Sequence, residues 1–293
     1  MTRILLIGGE GYLGRELAGG LGDGTYDVIV ASRSGSDCVV DITDARTIGA
    51  ALEAVGPEVV INLAAAGVDA TRREHDALRA MIAVNAVGPA LLARELGRFA
   101  PDVFMIQLAS SRETLEGPVD EGRSTYSVTK SCGTAIIAEA IGVGSLSGVI
   151  LRLHSVYGGS QPSTRFIGSV IEAALRGEQF MVREPHAALD FVHVDDVVRA
   201  VRSALKWGGS SNRLLDIGTG VTTDVMTTAR VIYSAAGAQP DLVVEDQTWL
   251  DVDVAYEIGC DVSPAAEALR WTAEIALERG VGQAVKEYQC TGW

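Results

Sequence analysis

The sequence predicts an α/β fold: a doubly wound parallel sheet joined to a smaller, discontinuous domain. Three observations predict it. Short β-branched apolar runs alternate with longer helical patterns through the first half of the chain. Those runs are apolar nearly throughout, as strands are when a parallel sheet is covered on both faces. The first run also leads straight into three regularly spaced glycines, Gly8, Gly11 and Gly14, before a helical pattern begins. Right-handed crossovers between such strands give a doubly wound sheet.

The elements follow in order. Predicted strands are RILLIG (3–8), DVIVAS (27–32), EVVINLA (58–64), VFMIQLAS (103–110) and GVILRL (148–153). A helix follows the glycines, another runs from about His75 to Arg98, and a third carries Tyr126-Ser-Val-Thr-Lys130. The second half is less regular. GGSQPS (158–163) is a loop by composition. A helix spans about Arg165 to Arg176, and FMV (180–182) and DFVHV (190–194) are short strands. Asp195 is placed to cap the helix DVVRAVRSAL. LLDIG (214–218) is a further strand, and helical segments lie near 222–236 and 264–288. Residues 1–155, with a returning segment near 190–235, are expected to form a Rossmann-type nucleotide-binding domain. Residues 156–189 and 236–293 would form the smaller substrate domain.

Bulk properties narrow the function. A chain of 293 residues buries a sizeable core. Its net charge of −14 argues against a nucleic-acid or anionic-membrane binder, since both need clustered Lys and Arg. No apolar run approaches the roughly 20 residues of a membrane helix. The apolar run at the N-terminus is only Ile4 to Ile7, too short for a signal peptide. Cys38, Cys132, Cys260 and Cys290 form no CxxC pair, which fits a reduced, cytoplasmic protein. No His/Cys/Asp/Glu spacing follows metal-ligand logic, so no metal is expected.

Gly8-x-x-Gly11-x-x-Gly14, between a strand and a helix, points to dinucleotide binding. One glycine turns the chain, one admits a pyrophosphate to the backbone and one lets helix and strand pack closely. The helix start at Tyr12, Leu13 and Gly14 offers N–H groups to the phosphates. The second strand selects the dinucleotide. An NAD enzyme usually carries an acid at this tip for the ribose hydroxyls. Here the tip is Ser32-Arg33-Ser34. A guanidinium grips a 2′-phosphate, with two hydroxyls beside it, so the cofactor is read as NADP(H). Asp41, with Ile42 after it, is placed to accept a bond from the adenine amino group. Asp44 is read as a helix cap.

With these residues in place, the chain resembles the extended short-chain dehydrogenase/reductase family of nucleotide-sugar epimerases, dehydratases and reductases. The resemblance spans nearly the whole chain. It rests on the glycine loop, Asp41-Ile42, Asn62-Leu-Ala-Ala65, Asn85, Ser110-Ser111, YSVTK, Leu151-Arg-Leu-His-Ser-Val-Tyr-Gly158, Asp190-Phe-Val-His-Val-Asp-Asp196 and Asp216-Ile-Gly-Thr-Gly220. The run from Asp41 to Ala70 is similar to the deoxysugar 4-ketoreductases, and the DFVHVDD segment to the epimerases and dehydratases.

The resemblance implies that Ser111, Tyr126 and Lys130 are catalytic. Ser110 stays open as the alternative hydroxyl, because Glu116-Gly117 stands where the family has Tyr-Gly, one residue late. Tyr126 and Lys130 lie one helical turn apart on a shared face. Hydride delivery to a ketone leaves charge on oxygen, which needs a proton donor. A free phenol has a pKa near 10, about three units too high for neutral pH, and a nearby ammonium lowers it. Lys130 would also hold the nicotinamide ribose. The resemblance sets Leu63, Ala64, Ala65, Asn85 and His154 along the cofactor. Asn85 has a second reading as a satisfied core residue, and His154 and His193 as satisfied buried histidines.

On the substrate side, Ser110, Ser111, Ser155, Arg165 and Arg183 are candidates, with His186 beside them. Ser155 and Leu189 replace residues with which the family contacts a diphosphate. Each of the two arginines has a plain reading as a solvated residue. The expected activity is NADPH-dependent reduction of the 4-keto group of a nucleotide-linked 4-keto-6-deoxysugar. A 4-epimerase with bound NAD and a non-catalytic NADP(H) sensor are the alternatives. A homodimer through the helices around Asn85–Arg98 and Tyr126–Ile141 is expected, with Ala135, Ile136, Ile137 and Ala138 at the contact or in the core.

Overall fold

The computed structural model describes residues 1–34, 37–67, 75–114, 124–207, 214–246 and 256–291. The chain divides into two compact units. One comprises Met1–Leu153 and Val201–Leu215, the other His154–Ala200 and Asp216–Trp293.

The first unit contains β1 (Thr2–Ile7), α1 (Tyr12–Leu21), β2 (Tyr26–Ser32), β3 (Cys38–Val39), α2 (Ala45–Val55) and β4 (Val59–Asn62). Then come α3 (His75–Met81), a π-helical segment (Ile82–Val87) and α4 (Gly88–Phe99). After these stand β5 (Phe104–Ser110), a 3-10 turn (Ser111–Thr114), α5 (Thr125–Gly142) and β6 (Ser147–Leu153). The sheet order is β10-β6-β5-β4-β1-β2-β3, where β10 is Leu214–Ile217. The pairs β1–β2, β1–β4, β2–β3, β4–β5 and β5–β6 run parallel. Strand order reverses at β1, and ligands of open parallel sheets bind beyond the strand ends at that point.

The physical causes are local. Ile4, Leu5, Leu6 and Ile7 are all buried, as a strand covered on both faces requires. Asp44 caps α2 by accepting the Arg46 N–H, and Gly56 ends it in the left-handed region at φ 55°. Ser124 caps α5 through the Ser127 N–H. The π segment interrupts what sequence periodicity predicts as one helix. By length and composition the run Ala77–Phe99 could cross a membrane, contrary to the sequence expectation. Here α4 packs against α2 and α5, and its buried Glu95 lies 2.7 Å from Arg94 and 3.7 Å from Arg98.

The second unit contains β7 (Ser155–Tyr157), α6 (Phe166–Arg176), β8 (Phe180–Val182), β9 (Ala188–His193) and α7 (Val194–Lys206), whose last turns belong to the first unit. Beyond β10 follow β11 (Thr222–Asp224), α8 (Val225–Ala235), β12 (Val243–Glu245), β13 (Glu257–Ile258), α9 (Ser263–Leu269) and α10 (Leu277–Thr291). Strand β9 is a hub: β7, β11 and β13 all pair with it. That hub explains why only 201–215 group with the first unit, a narrower return than the 190–235 segment expected. Two further expectations change. Asp195 lies inside the first turn of α7 and not at its N-cap. The segments 222–236 and 264–288 each hold a non-helical part, β11 in one and residues 270–276 in the other.

Two buried carboxylates tie this unit together. Asp190 accepts the Thr219 N–H (2.8 Å), the Thr219 hydroxyl (2.8 Å) and the Gly220 N–H (2.7 Å). A side chain at Gly218 would press within 2.6 Å of the same carboxylate. Asp196 accepts from Arg199 and from the N–H groups of Glu274 (3.1 Å) and Ile275 (3.0 Å). Its carbonyl accepts from the Trp271 indole at 3.0 Å. Replacing Asp190 by Ala leaves backbone donors unpaired, so a loss of about 3 kcal/mol or more is expected. Urea denaturation of the full chain, with Leu189→Ala as a packing control, measures it.

Candidate active site

Four glycines stand at the end of β1, for different reasons. Gly8 has φ 84°, and a Cβ there would lie 2.9 Å from the Ala64 nitrogen. A Cβ on Gly9 would meet Val30 at 2.7 Å, and one on Gly14 would meet the Gly8 carbonyl at 2.5 Å. These three are glycine because the protein packs against them. Gly11 differs. Its φ of −66° and ψ of 169° suit any residue, and its nearest protein atom would be 3.4 Å from a Cβ. The fold does not require glycine there, whereas a ligand approaching the backbone does. Gly11 is also the N-cap of α1, with no side chain to occupy the first N–H groups of Tyr12, Leu13 and Gly14. The residues present therefore fit a pyrophosphate at the start of α1.

The tip of β2 is fastened to this loop, since the N–H groups of Gly8 and Gly9 donate to the Ala31 carbonyl at 2.9 and 3.3 Å. Ser32 accepts the Ser34 N–H (3.2 Å) and donates to the Ser34 carbonyl (2.8 Å). That local turn leaves Arg33 and Ser34 exposed. Asp41 accepts the N–H and hydroxyl of Thr43 at 2.9 and 2.7 Å. Ile42 is buried, and a Cβ on Gly88 would meet it at 2.9 Å, so its side chain packs against the start of α4.

At the end of β4, Asn62 accepts the Ala64 N–H (3.1 Å) and shapes the turn through Leu63, Ala64 and Ala65. Asn85 sits in the π segment and is buried. It accepts the Ala66 N–H (2.8 Å) and donates to the Ala66 carbonyl (2.9 Å) and the Thr129 hydroxyl (3.0 Å). The two readings of Asn85 merge: it is satisfied in the core, and it joins the turn after β4 to the residue before Lys130. A Cβ on Gly133 would strike the Asn85 carbonyl at 2.0 Å, so α5 reaches the π segment only because residue 133 is glycine.

Ser110 ends β5, and Ser111 opens the 3-10 turn in a buried position. Glu113 bends back to accept the Ser110 N–H at 2.9 Å. Tyr126 lies in the first turn of α5, half-buried, and Lys130 one turn later is 5% exposed. The Lys130 ammonium donates to the Leu108 carbonyl at 2.9 Å. Burial lowers its pKa, and the Glu113 charge works the other way. Helix α5 packs on both β5 and the 3-10 turn, so Ser110, Ser111, Tyr126 and Lys130 belong to one packed corner of the first unit. The departure at Glu116-Gly117 lies outside the described residues.

The remaining candidates belong to the second unit. His154 is buried with its Nε2 3.0 Å from Asp216. His193 is buried edge-on to Tyr157, ring centroids 5.2 Å apart. Ser155 begins β7, half-buried. Arg165 precedes α6 as its N-cap. Arg183 is exposed and 3.9 Å from Asp246, and His186 is exposed. The fold also makes a cluster that spacing concealed: donor atoms of His154, Asp190 and Cys260 lie within 4.8 Å of one another. Hydrogen bonds account for Asp190 and Cys260, while the buried Nδ1 of His154 has no partner among the described residues. Asp190 already carries the donors of Thr219 and Gly220. Burial, then the Asp190 charge, pushes the Cys260 thiol well up, and it donates to Asp190 at 3.3 Å.

The model of the NAD dependent epimerase/dehydratase family matches residues 4–218. The chain is 27% identical to the dTDP-L-rhamnose 4-epimerase of Burkholderia thailandensis, over 96% of this chain and 93% of that protein. It is 24% identical to the dTDP-6-deoxy-L-talose 4-dehydrogenase (NAD(P)(+)) of Kitasatospora kifunensis, with the same coverage of 96% and 93%. Among solved structures, the UDP-glucose 4-epimerase of Thermotoga maritima with UDP-glucose superposes with a TM-score of 0.84 at 23% identity, over 99% of both chains.

The glycines separate in a mutational test. Gly11→Ala should leave stability within about 1 kcal/mol and weaken dinucleotide binding tenfold or more. Gly14→Ala should cost about 1–3 kcal/mol through overpacking. Thermal melting and fluorescence titration with NADPH measure the two effects.

Proposed function

We propose, from the premise that this chain belongs to the NAD dependent epimerase/dehydratase family, that it is an NADPH-dependent 4-ketoreductase. Its substrate is a nucleotide-linked 4-keto-6-deoxysugar, with dTDP as the carrier. The observation that carries the choice is the tip of β2. Arg33 and Ser34 are exposed there beside the glycine loop, and Ser32-Arg33-Ser34 itself holds no carboxylate, the Asp37 carboxylate nearby being taken up by the Val30 N–H at 3.1 Å. A carboxylate would favour NAD, whereas a guanidinium favours the 2′-phosphate of NADP. A reductase takes up fresh reduced cofactor each turnover, which suits NADPH. The Kitasatospora relative, named as a 4-dehydrogenase using NAD(P), supports redox chemistry at that carbon.

When bound, the reduced cofactor supplies the hydride. The chain's own residues do the rest. Gly11 and the start of α1 hold the pyrophosphate, and Arg33 holds the 2′-phosphate. Tyr126 gives its phenolic proton to the substrate oxygen as charge develops there. Ser111, with Ser110 beside it, donates a hydrogen bond to the same oxygen. Lys130 keeps positive charge one helical turn from Tyr126, which favours the phenolate left behind. Ser155, Arg165 and Arg183 stay proposed substrate residues of the second unit.

A second reading, a 4-epimerase with retained NAD, is favoured by the name of the Burkholderia relative. A non-catalytic NADP(H) sensor is disfavoured by the retained Tyr126 and buried Lys130. We also propose a homodimer through the π segment, α4 and α5, where Ile82 and Val87 of the π segment and Val128 of α5 are exposed apolar residues. Of the four residues read as contact or core, Ile137 lies in the core with Ala138 packed against it, Ile136 is half-buried and Ala135 is exposed. None of the four cysteines is in a disulfide, which suits the proposed cytoplasmic setting.

Purified protein mixed with NADPH and a dTDP-4-keto-6-deoxyhexose should consume NADPH with net reduction of the sugar. Interconversion of sugar epimers with tightly held NAD and no net reduction would support the epimerase instead. Tyr126→Phe should keep NADPH binding within about twofold while turnover falls at least about 100-fold. Arg33→Ala should weaken NADPH binding by about tenfold or more and leave NADH binding little changed, read by fluorescence titration with each dinucleotide.

A further inference from the structure

Two buried amides lie side by side in the centre of the sheet. Asn62, at the end of β4, and Gln107, in β5, are register partners, 0% and 1% exposed. Asn62 Nδ2 donates to Gln107 Oε1 at 2.9 Å, and Gln107 Nε2 donates to the Leu108 carbonyl at 3.1 Å. The direction of this relay is fixed at both ends. The Ala64 N–H can only donate, so Asn62 Oδ1 must accept it, at 3.1 Å. The Leu108 carbonyl can only accept, so Gln107 must present its nitrogen there. No amide in the relay can flip without losing a bond to the backbone.

The relay joins two parts of the candidate site. It begins at Ala64, whose nitrogen lies where a Cβ on Gly8 would come within 2.9 Å. It ends on the carbonyl that also accepts the Lys130 ammonium at 2.9 Å. A carbonyl oxygen has two lone pairs, and here one takes Gln107 and the other Lys130. The ammonium has three N–H donors, so one anchors the head and two remain for other partners. A leucine at 107 would fill the strand without desolvating an amide, so packing alone does not call for glutamine.

We propose that Gln107 is a positioning residue. Together with Asn62 it orients the Leu108 carbonyl from which Lys130 hangs, and it ties that carbonyl to the turn packed on the glycine loop. The inference rests on the reading of Tyr126 and Lys130 as the proton-transfer pair. Its consequence is electrostatic. With the ammonium anchored, Tyr126 titrates against a nearby fixed positive charge. With the anchor loosened, that charge moves and the phenol holds its proton to higher pH. Glu113 is the charged group facing Lys130 from the neighbouring turn, and it is unchanged in every variant below.

The test needs no sugar substrate. The ultraviolet phenolate band of Tyr126 is titrated in the full-length protein, each variant being measured against the same variant carrying Tyr126→Phe. Lys130→Met should raise the Tyr126 midpoint by about one unit, a tenfold change in proton affinity. Gln107→Leu should raise it by about half a unit, a threefold change. Gln107→Glu keeps the acceptor for Asn62 but turns a carboxylate toward Leu108 and Lys130, so its rise should exceed that of Gln107→Leu. This variant also covers the case in which Gln107→Leu fails to fold, as judged by circular dichroism. If Lys130→Met shifts the midpoint and neither Gln107 variant does, Gln107 is only a structural residue and the proposal is overturned. If Lys130→Met leaves the midpoint in place, the proton-transfer reading itself fails and takes the proposal with it.

Discussion

A lysine ammonium taken almost wholly out of water is the constraint around which the interior of the first unit is arranged. Such a charge is costly to bury unless it is hydrogen-bonded. The Leu108 carbonyl supplies the bond. Leu108 lies one residue beyond Asn62–Gln107, the last register pair of β4 with β5, while β5 still pairs with β6. The geometry then has to be maintained from several sides. Gln107 and Asn62 hold the carbonyl from the sheet. Thr129, the residue before the lysine, is held by Asn85 from the π segment. Gly133, one turn on, lets α5 press against that segment. The π segment is itself a local departure from regular helix, of a kind frequent at functional sites.

The second unit solves a different problem. It has no large sheet, so its segments are fastened by buried carboxylates. Asp190 and Asp196 each gather donors from residues distant in sequence, largely backbone N–H groups. This gives two of the recurring motifs a structural meaning. The Asp190 end of DFVHVDD and the Thr219-Gly220 end of DIGTG are two halves of one hydrogen-bonded knot. Gly218 is glycine because that knot leaves no room beside it.

What could be read from the sequence follows this division. Continuous apolar runs located the longer strands of the parallel sheet to within a residue or two, because burial on both faces leaves a clear pattern, whereas the two-residue edge strand β3 went unread. The glycine loop and the Tyr126/Lys130 pair were legible because their spacing is local. What escaped was non-local. Asn62 and Gln107 are 45 residues apart, and although Asn62 belongs to a recurring motif, Gln107 does not stand out in a strand pattern read alone. His154, Asp190 and Cys260 meet only after the chain has folded. The π segment is invisible to a 3.6-residue period that continues on either side of it. Asp195 misled because the helix begins at Val194, two residues earlier than a cap at Asp195 implies and directly at the end of β9, so that its carboxylate falls inside the first turn.

The buried polar groups divide by how fully they are used. Asp190 and Asp196 are closed systems: their oxygens meet donors on both sides, and they bind segments of chain to one another. Gly8, Gly9 and Gly14 are closed in the same sense, since protein atoms occupy the space beside them. Lys130 and Gly11 are open. Among the described residues the ammonium makes its hydrogen bond to Leu108 alone, with two donors left over. Gly11 has an ordinary backbone conformation and no protein reason to lack a side chain. Unused capacity costs stability when it is buried or conformationally loose, and nothing else among the described residues draws on it. That is the physical ground on which ligand and chemistry are proposed at the ends of β1 and β5, with the Asp190 and Asp196 knots of the second unit as scaffold.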